Sequence, residues 1–373
     1  MTRLEQRRFG AFARSRFLVL GHHEGRYIMW WIYPVYALDL AAMIVLAFWL
    51  GNLVDMLDKK TKVSGAFIGG VLLAAVTSLP ELFTALSAVF IVNEPEYVVG
   101  DILGSIIFNL VVLMLETVMF VKNFRKSNVK KFHVVNGLFC LAMYGFAAYA
   151  FFAPKEWQLM LGDINFVSLL ILALYIVSLI IQPKEEQKEE VKEQVAWSLK
   201  KIITLFVFCS IGLIGTSIAL TYLTKMIQEA LPVLSGSVAG ALLLGIGTSI
   251  PEVISTAQLF KKKNYDAGIG NMVGSCTFDF AIFAFADCLS WHPYNNHVDT
   301  SGEFIISQRG LYIASPDAIQ FEIYGAIVCA LVTGFLALKV FTPLFNKSKG
   351  WTIALSSVTA AACLALYLVI FFF

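Results

Sequence analysis

Two stretches of this chain set two hydroxyls, a proline and a carboxylate side by side in otherwise apolar sequence: Thr77-Ser78-Leu79-Pro80-Glu81 and Thr248-Ser249-Ile250-Pro251-Glu252. A carboxylate at bilayer depth is costly, so it is rare and usually functional. The proline lacks a backbone donor and clashes with the carbonyl four residues back, at Val76 and at Gly247. Carbonyls freed at that depth need a partner, and a cation in a polar cavity serves. Thr77, Ser78, Thr248 and Ser249 add hydroxyl oxygens, and Glu81 and Glu252 add charge. Hard cations such as Ca2+ or Na+ prefer oxygen donors of this kind.

Each motif is followed by a second polar cluster, Gly104-Ser105-Ile106-Ile107-Phe108-Asn109 and Gly274-Ser275-Cys276-Thr277-Phe278-Asp279. Ser105 and Asn109 share one helix face, and Ser275 and Asp279 repeat the spacing. The set holds carboxylates, an amide and hydroxyls, and it needs no His or Cys, which argues against zinc or copper. A single such carboxylate is equally explained by a structural polar pair between helices; four clusters in two copies are not. The chain reads as a duplicated transport unit with an ion site at the seam of its halves.

The elements that must position these residues are membrane helices. Hydrophobic residues make up 58% of the chain and charged ones 14%, with a mean hydropathy of +0.75; a soluble domain is far more charged. Ten candidate spans lie near 31–54, 65–92, 97–121, 132–152, 164–182, 202–229, 236–260, 265–288, 319–341 and 351–372. The charged run Pro183–Glu193 separates the halves as a solvated linker. The expected organisation is an Arg-rich arm at 1–30, a first five-helix repeat at 31–182, a cytoplasmic linker at 183–200 and a second repeat at 201–373. The arm reads as a surface-lying segment, with a transit peptide as the alternative. Loops after odd-numbered spans, together with Lys339 at the end of the ninth span, carry 19 Lys or Arg, and those after even-numbered spans, together with Lys225 near the end of the sixth, carry 3, which places the former in the cytoplasm. The six arginines of the arm run against that rule. Five spans per half is an odd number, so the second half enters the membrane from the opposite side, as inverted repeats do. The expected fold is therefore all-α, with ten transmembrane helices in two inverted five-helix repeats and breaks in helices 2 and 7.

The motifs resemble those of the calcium/cation antiporter superfamily, specifically the membrane-region repeats of sodium/calcium exchangers. That family's pattern is G-T-S-[LIV]-P-E followed by G-N-x-x-G-S-N-x-x-[ND]. Here the second part reads Gly100-Asp101-Ile102-Leu103-Gly104-Ser105-Ile106-Ile107-Phe108-Asn109 and Gly270-Asn271-Met272-Val273-Gly274-Ser275-Cys276-Thr277-Phe278-Asp279. The resemblance implies that Glu81, Glu252, Asn109 and Asp279 form a central ion cage, completed by Thr77, Ser78, Thr248, Ser249, Ser105 and Ser275 and by carbonyls near the breaks. It implies a packed core of spans 2, 3, 7 and 8, across which spans 1 and 6 slide to give alternating access. The chain departs from the pattern at Val76, which is expected to stiffen the first break, at Ile106 and Cys276, and at Asp101. Asp101 lies one turn from Ser105 on the same face, where it would add negative charge near the outer mouth; an interfacial helix start is the blander reading and the one expected.

The expected activity is exchange of Ca2+ for Na+ by alternating access, with these ions as bound substrates, no resident cofactor and no enzymatic function. Coupling of Ca2+ or another divalent cation to H+ is the alternative within transporters. An intramembrane hydrolase with Ser78 or Ser249 as nucleophile lacks a His or Lys base at matching depth; a channel is a third option, which saturable, countertransport-driven flux would exclude. The partners are the two ions and the bilayer. No basic patch suggests nucleic acid, and oligomeric state is left open. The expected location is the plasma or bacterial inner membrane, with an organelle membrane as the alternative. The six cysteines form no CxxC pair and read as inert buried thiols. Asp39, Glu116 and Asp287 read as helix-end anchors, His22-His23-Glu24 as no metal site, and the loop 291–316 as a polar connector.

Overall fold

The computed structural model describes residues 30–60, 77–161, 164–181, 196–231, 233–289, 297–298, 304–305, 311–312, 316–342 and 349–372. The N-terminal arm with His22-His23-Glu24, Val76 with the first part of span 2, the linker as far as residue 195 and most of the 291–316 loop lie outside the described residues. The main helices are α1 (Ile32–Lys60), α2 (Leu79–Ser87), α3 (Pro95–Met119), α4 (Phe132–Phe152), α5 (Phe166–Ile181), α6 (Leu199–Ala230), α7 (Ile250–Lys261), α8 (Tyr265–Leu289), α9 (Pro316–Phe341) and α10 (Lys349–Phe372). Among the described residues, seven helices are long and apolar enough to cross a bilayer. The pair Gly236–Thr248 and Ile250–Lys261, bent by 42°, has the length and composition of an eighth when taken as one broken span. The apolar helices Leu79–Val92 and Phe166–Ile181 are shorter. Two small antiparallel pairs interrupt the helical pattern: Met160–Leu161 (β1) with Ile164–Asn165 (β2), and His297–Val298 (β3) with Phe304–Ile305 (β4).

Both prolines of the motifs sit in the first turn of a new helix, α2 or α7, where a missing N–H costs least. The break is thus a helix start as much as a kink. Two wider π turns flank these starts: Ala88–Val92 follows α2, and Gly240–Gly245 precedes α7. Such turns recur at functional sites. Asn93, at φ 58°, closes the first of them before Pro95 opens α3.

Helices α3 and α8 are the centre of the molecule. The most apolar stretch is 83% buried in α3 and 72% in α8, against 17% in both α1 and α6. The two central helices pack on each other; α3 also meets α9, α10 and the Gly240–Gly245 turn, while α1 lies along α6. Small residues make the central crossing possible: a Cβ on Gly104 would fall 2.7 Å from the Ala241 Cβ. Helix α8 is pinned near both ends. At its start Asp266 accepts from the Lys130 N–H at 2.9 Å and meets His133 Nε2 at 2.7 Å. Near its end Asp287 accepts from the Ser168 hydroxyl at 2.6 Å, the anchoring role expected of it. All six cysteines are unpaired, and Cys140, Cys276, Cys329 and Cys363 are buried.

Candidate ion site

The two motifs meet crosswise. Ser78 Oγ of the first donates to Glu252 Oε1 of the second at 3.3 Å. Ser249 Oγ of the second lies 3.5 Å from Glu81 Oε1 of the first. The threonines follow the same rule, with the Thr77 hydroxyl beside Glu252 and that of Thr248 beside Glu81. Each carboxylate is therefore attended by the other motif's hydroxyls. This arrangement follows from where the helices start: Ser78 and Ser249 are the N-cap residues of α2 and α7, so their side chains stand at the break rather than on a helix flank.

Every residue proposed from the sequence is buried: Thr77, Ser78, Glu81, Ser105, Asn109, Thr248, Ser249, Glu252, Ser275 and Asp279. Many of their oxygens have no protein hydrogen-bond partner, namely Glu81 Oε2, Glu252 Oε2, Asn109 Oδ1, Ser275 Oγ and both carboxylate oxygens of Asp279. Buried polar atoms are normally paired, and bare oxygens on buried acids, an amide and a hydroxyl have the chemistry of hard-cation ligands. Ser105 differs, because its hydroxyl donates to the Gly245 carbonyl at 3.1 Å and ties α3 to the end of the π turn. The Gly245 carbonyl also accepts from the Ser249 N–H at 3.3 Å, so it is a structural tie between α3 and the turn. Asp279 lies within electrostatic reach of Glu81, and Glu252 within reach of Asp279. Asn109 stands on α3 and Asp279 on α8, the two helices that pack together. Among the described residues, no three side chains of His, Cys, Asp or Glu converge closely enough to hold a metal ion by themselves. An ion here needs hydroxyl and carbonyl oxygens beside the carboxylates.

The structure corrects the expectation for Asp101. It is not an interfacial helix start, because Pro95 opens α3 and Asp101 lies further in, with no exposed surface. Its carboxylate accepts from Thr84 Oγ1 at 2.6 Å and from Thr248 Oγ1 at 3.4 Å. Thr84, on α2, has no motif to announce it. The signal for Asp101 was its register, since it stands four residues before Ser105 as Asn271 stands before Ser275. Glu322 on α9 is a further buried acid, without a protein partner for either carboxylate oxygen, and no motif marks it. Glu116 is buried near the end of α3 and Asp39 is half-buried on α1.

Comparison with known proteins identifies the family and the fold. The family model for sodium/calcium exchanger protein matches residues 32–183 and 201–373. The chain belongs to that family, whose members are membrane antiporters of cations and not enzymes. It is 27% identical over 224 residues to an uncharacterized membrane protein, MJ0091, of Methanocaldococcus jannaschii, covering 59% of this chain and 69% of that one. Among solved structures, native YfkE superposes with a TM-score of 0.61 at 17% identity, over 91% of this chain and 92% of the other. The H+/Ca2+ exchanger CAX gives 0.61 at 12% identity over 99% and 95%. The sodium-calcium exchanger NCX_Mj, soaked with Na+ and Sr2+, gives 0.54 at 20% identity over 91% and 96%. At these identities the likeness establishes a shared fold.

Proposed function

We propose that this cation antiporter exchanges Ca2+ for Na+ by alternating access at the seam of two inverted five-helix repeats, 31–182 and 201–373, joined by a cytoplasmic linker at 183–200. The repeats supply ten transmembrane helices. Glu81, Glu252, Asn109 and Asp279 are the central ligands, and Thr77, Ser78, Thr248, Ser249, Ser105 and Ser275 complete the set. The observation that carries this reading is the crosswise pairing of Ser78 with Glu252 and of Ser249 with Glu81. It sets both charged break-point residues at one seam, among buried oxygens that lack protein partners.

Binding of either ion neutralises carboxylates whose charge is expensive in a dry interior. Ca2+ and Na+ thus compete for one site, and the loaded forms are those that cross between the two access states. The low burial of α1 and α6, and their packing along each other, supports their moving together over the α3–α8 core.

The test is Ca2+ flux in proteoliposomes with Na+, K+ and H+ gradients imposed one at a time. Uptake driven by an outward Na+ gradient alone is the expected result. Uptake driven by the H+ gradient alone would replace Na+ coupling with the coupling named for CAX, which shares the fold.

A further inference from the structure

Asp101 and Asn271 occupy equivalent places in the two halves, and their surroundings show what the place requires. Asn271 donates its amide to Ser255 Oγ and to Thr256 Oγ1, each at 3.0 Å, and lies 3.5 Å from the Glu252 carbonyl. Ser255 stands three residues after Glu252, as Thr84 stands three after Glu81. The same link, from the third helix of a half to the helix carrying its glutamate, is therefore made twice. In the second half an amide makes it; in the first, a carboxylate accepts from Thr84. An amide suffices for the structural task, so the task does not account for the charge of Asp101.

The charge has another context. Along α3 the order is Asp101, Ser105, Asn109; along α8 it is Asn271, Ser275, Asp279. Acid and amide are exchanged end for end, and each half keeps two carboxylates, Glu81 with Asp101 and Glu252 with Asp279. Eight residues of helix separate the exchanged positions, about 12 Å along the axis. Asp101 is within electrostatic reach of both Glu81 and Asp279. The Thr248 hydroxyl donates to Asp101 and also stands beside Glu81, whose Oε2 is buried without a protein partner. Two ionised carboxylates gathered around one hydroxyl in a dry interior repel each other, and a cation between them relieves that repulsion, as a proton on either one would.

We propose that Asp101 is a further cation ligand of this chain, which supplies, two turns away on the same helix, the carboxylate that Asn109 lacks, and that it shares a hard cation with Glu81 and Thr248. This rests on the ion-site reading above and adds a specificity-determining residue to it. A fourth carboxylate displaced from the Asn109 position lets positive charge be held at two levels of the pathway.

The experiment is thermal stabilisation of the purified chain in detergent, titrated with Ca2+ and separately with Na+, for Asp101→Asn and for Asp101→Asn combined with Asn109→Asp. Asp101→Asn reproduces the amide of the second half. It is expected to melt like the unaltered chain without ions and to bind at least one of the two ions ten times more weakly or worse. The double variant, which restores the number of carboxylates, is expected to recover most of that loss. Unchanged affinity for both ions in Asp101→Asn overturns the proposal. Should that variant fail to fold, anomalous scattering from Sr2+ in crystals of the unaltered chain decides: a peak within coordination distance of Asp101 supports the proposal, and peaks confined to Glu252 and Asp279 overturn it. Absence of Na+-driven flux in the unaltered chain would defeat the coupling reading alone, because the binding titrations need no transport.

Discussion

Ser78 reaches Glu252 at 3.3 Å across 174 positions of sequence. With the reciprocal approach of Ser249 to Glu81, it makes each glutamate depend on the half of the chain that does not contain it. The proposed site draws on both halves, so damage on either side is expected to be felt by both carboxylates. Ser78→Ala and Ser249→Ala should therefore have matching consequences. A hydrogen bond to a charged group contributes about 1.5–3 kcal/mol, and these are long, so the low end applies. Each variant is expected to weaken Ca2+ dependence of flux about tenfold. The check is a Ca2+ titration of flux for both variants side by side; a loss confined to one of them contradicts the crosswise arrangement.

Glu81→Gln and Glu252→Gln are each expected to abolish exchange. Both residues are buried at a helix break, and no neighbour supplies a replacement charge at the same place. With a cation bound, removing one of the buried carboxylates that compensate it costs about 3–5 kcal/mol, more than about a hundredfold in binding. Size-exclusion behaviour should stay normal, since glutamine keeps the shape. Near-normal Ca2+ flux in either variant would refute the site.

Lys188 in the linker is expected on the cytoplasmic side and Asn295 in the loop after α8 on the outer side, from the uneven distribution of Lys and Arg over the connecting segments. Single cysteines at these two positions, on a background without the six native ones, settle the matter with an impermeant thiol reagent applied to intact cells. Labelling at 188 and protection at 295 would invert the topology.

The candidate site residues stand out in the sequence because polar groups in a membrane span are few, so each one carries information, and the structure finds all ten buried. Helix positions were legible for the same reason, since apolar runs long enough to span are hard to misread; the run near 132–152 is α4, Phe132–Phe152. What the chain hides is which residues meet. A local reading assigns Ser78 to the glutamate three residues on, whereas the break turns it toward Glu252. The same limit misplaced Asp101: its place near the start of the span expected at 97–121 suggested a helix start, but burial is set by the Gly240–Gly245 turn crossing α3, which no local pattern in α3 announces. The π turns themselves left no sign, because they differ from α-helix by one residue per turn and not by composition.

That crossing yields the last prediction. Gly104 and Gly274 are equivalent in the two motifs and read alike in the sequence, yet their surroundings differ. A Cβ on Gly104 would lie 2.7 Å from the Ala241 Cβ and 2.9 Å from the Ala241 Cα, whereas one on Gly274 would meet nothing within 4 Å. Backbone as well as side chain would have to yield at Gly104, and overpacking of that kind costs about 1–3 kcal/mol. At Gly274 alanine removes the entropic penalty of a helical glycine, a gain of about 0.5–1 kcal/mol. Gly104→Ala is therefore expected to lower the melting temperature and Gly274→Ala to leave it unchanged or raise it. The displaced turn also carries the Gly245 carbonyl that Ser105 holds at 3.1 Å, so Gly104→Ala should impair Ca2+ flux in the fraction that remains folded. Melting curves in detergent and flux normalised to folded protein test both parts. Equal shifts for the two alanines would mean that α3 and the π turn do not approach as closely as their glycines allow.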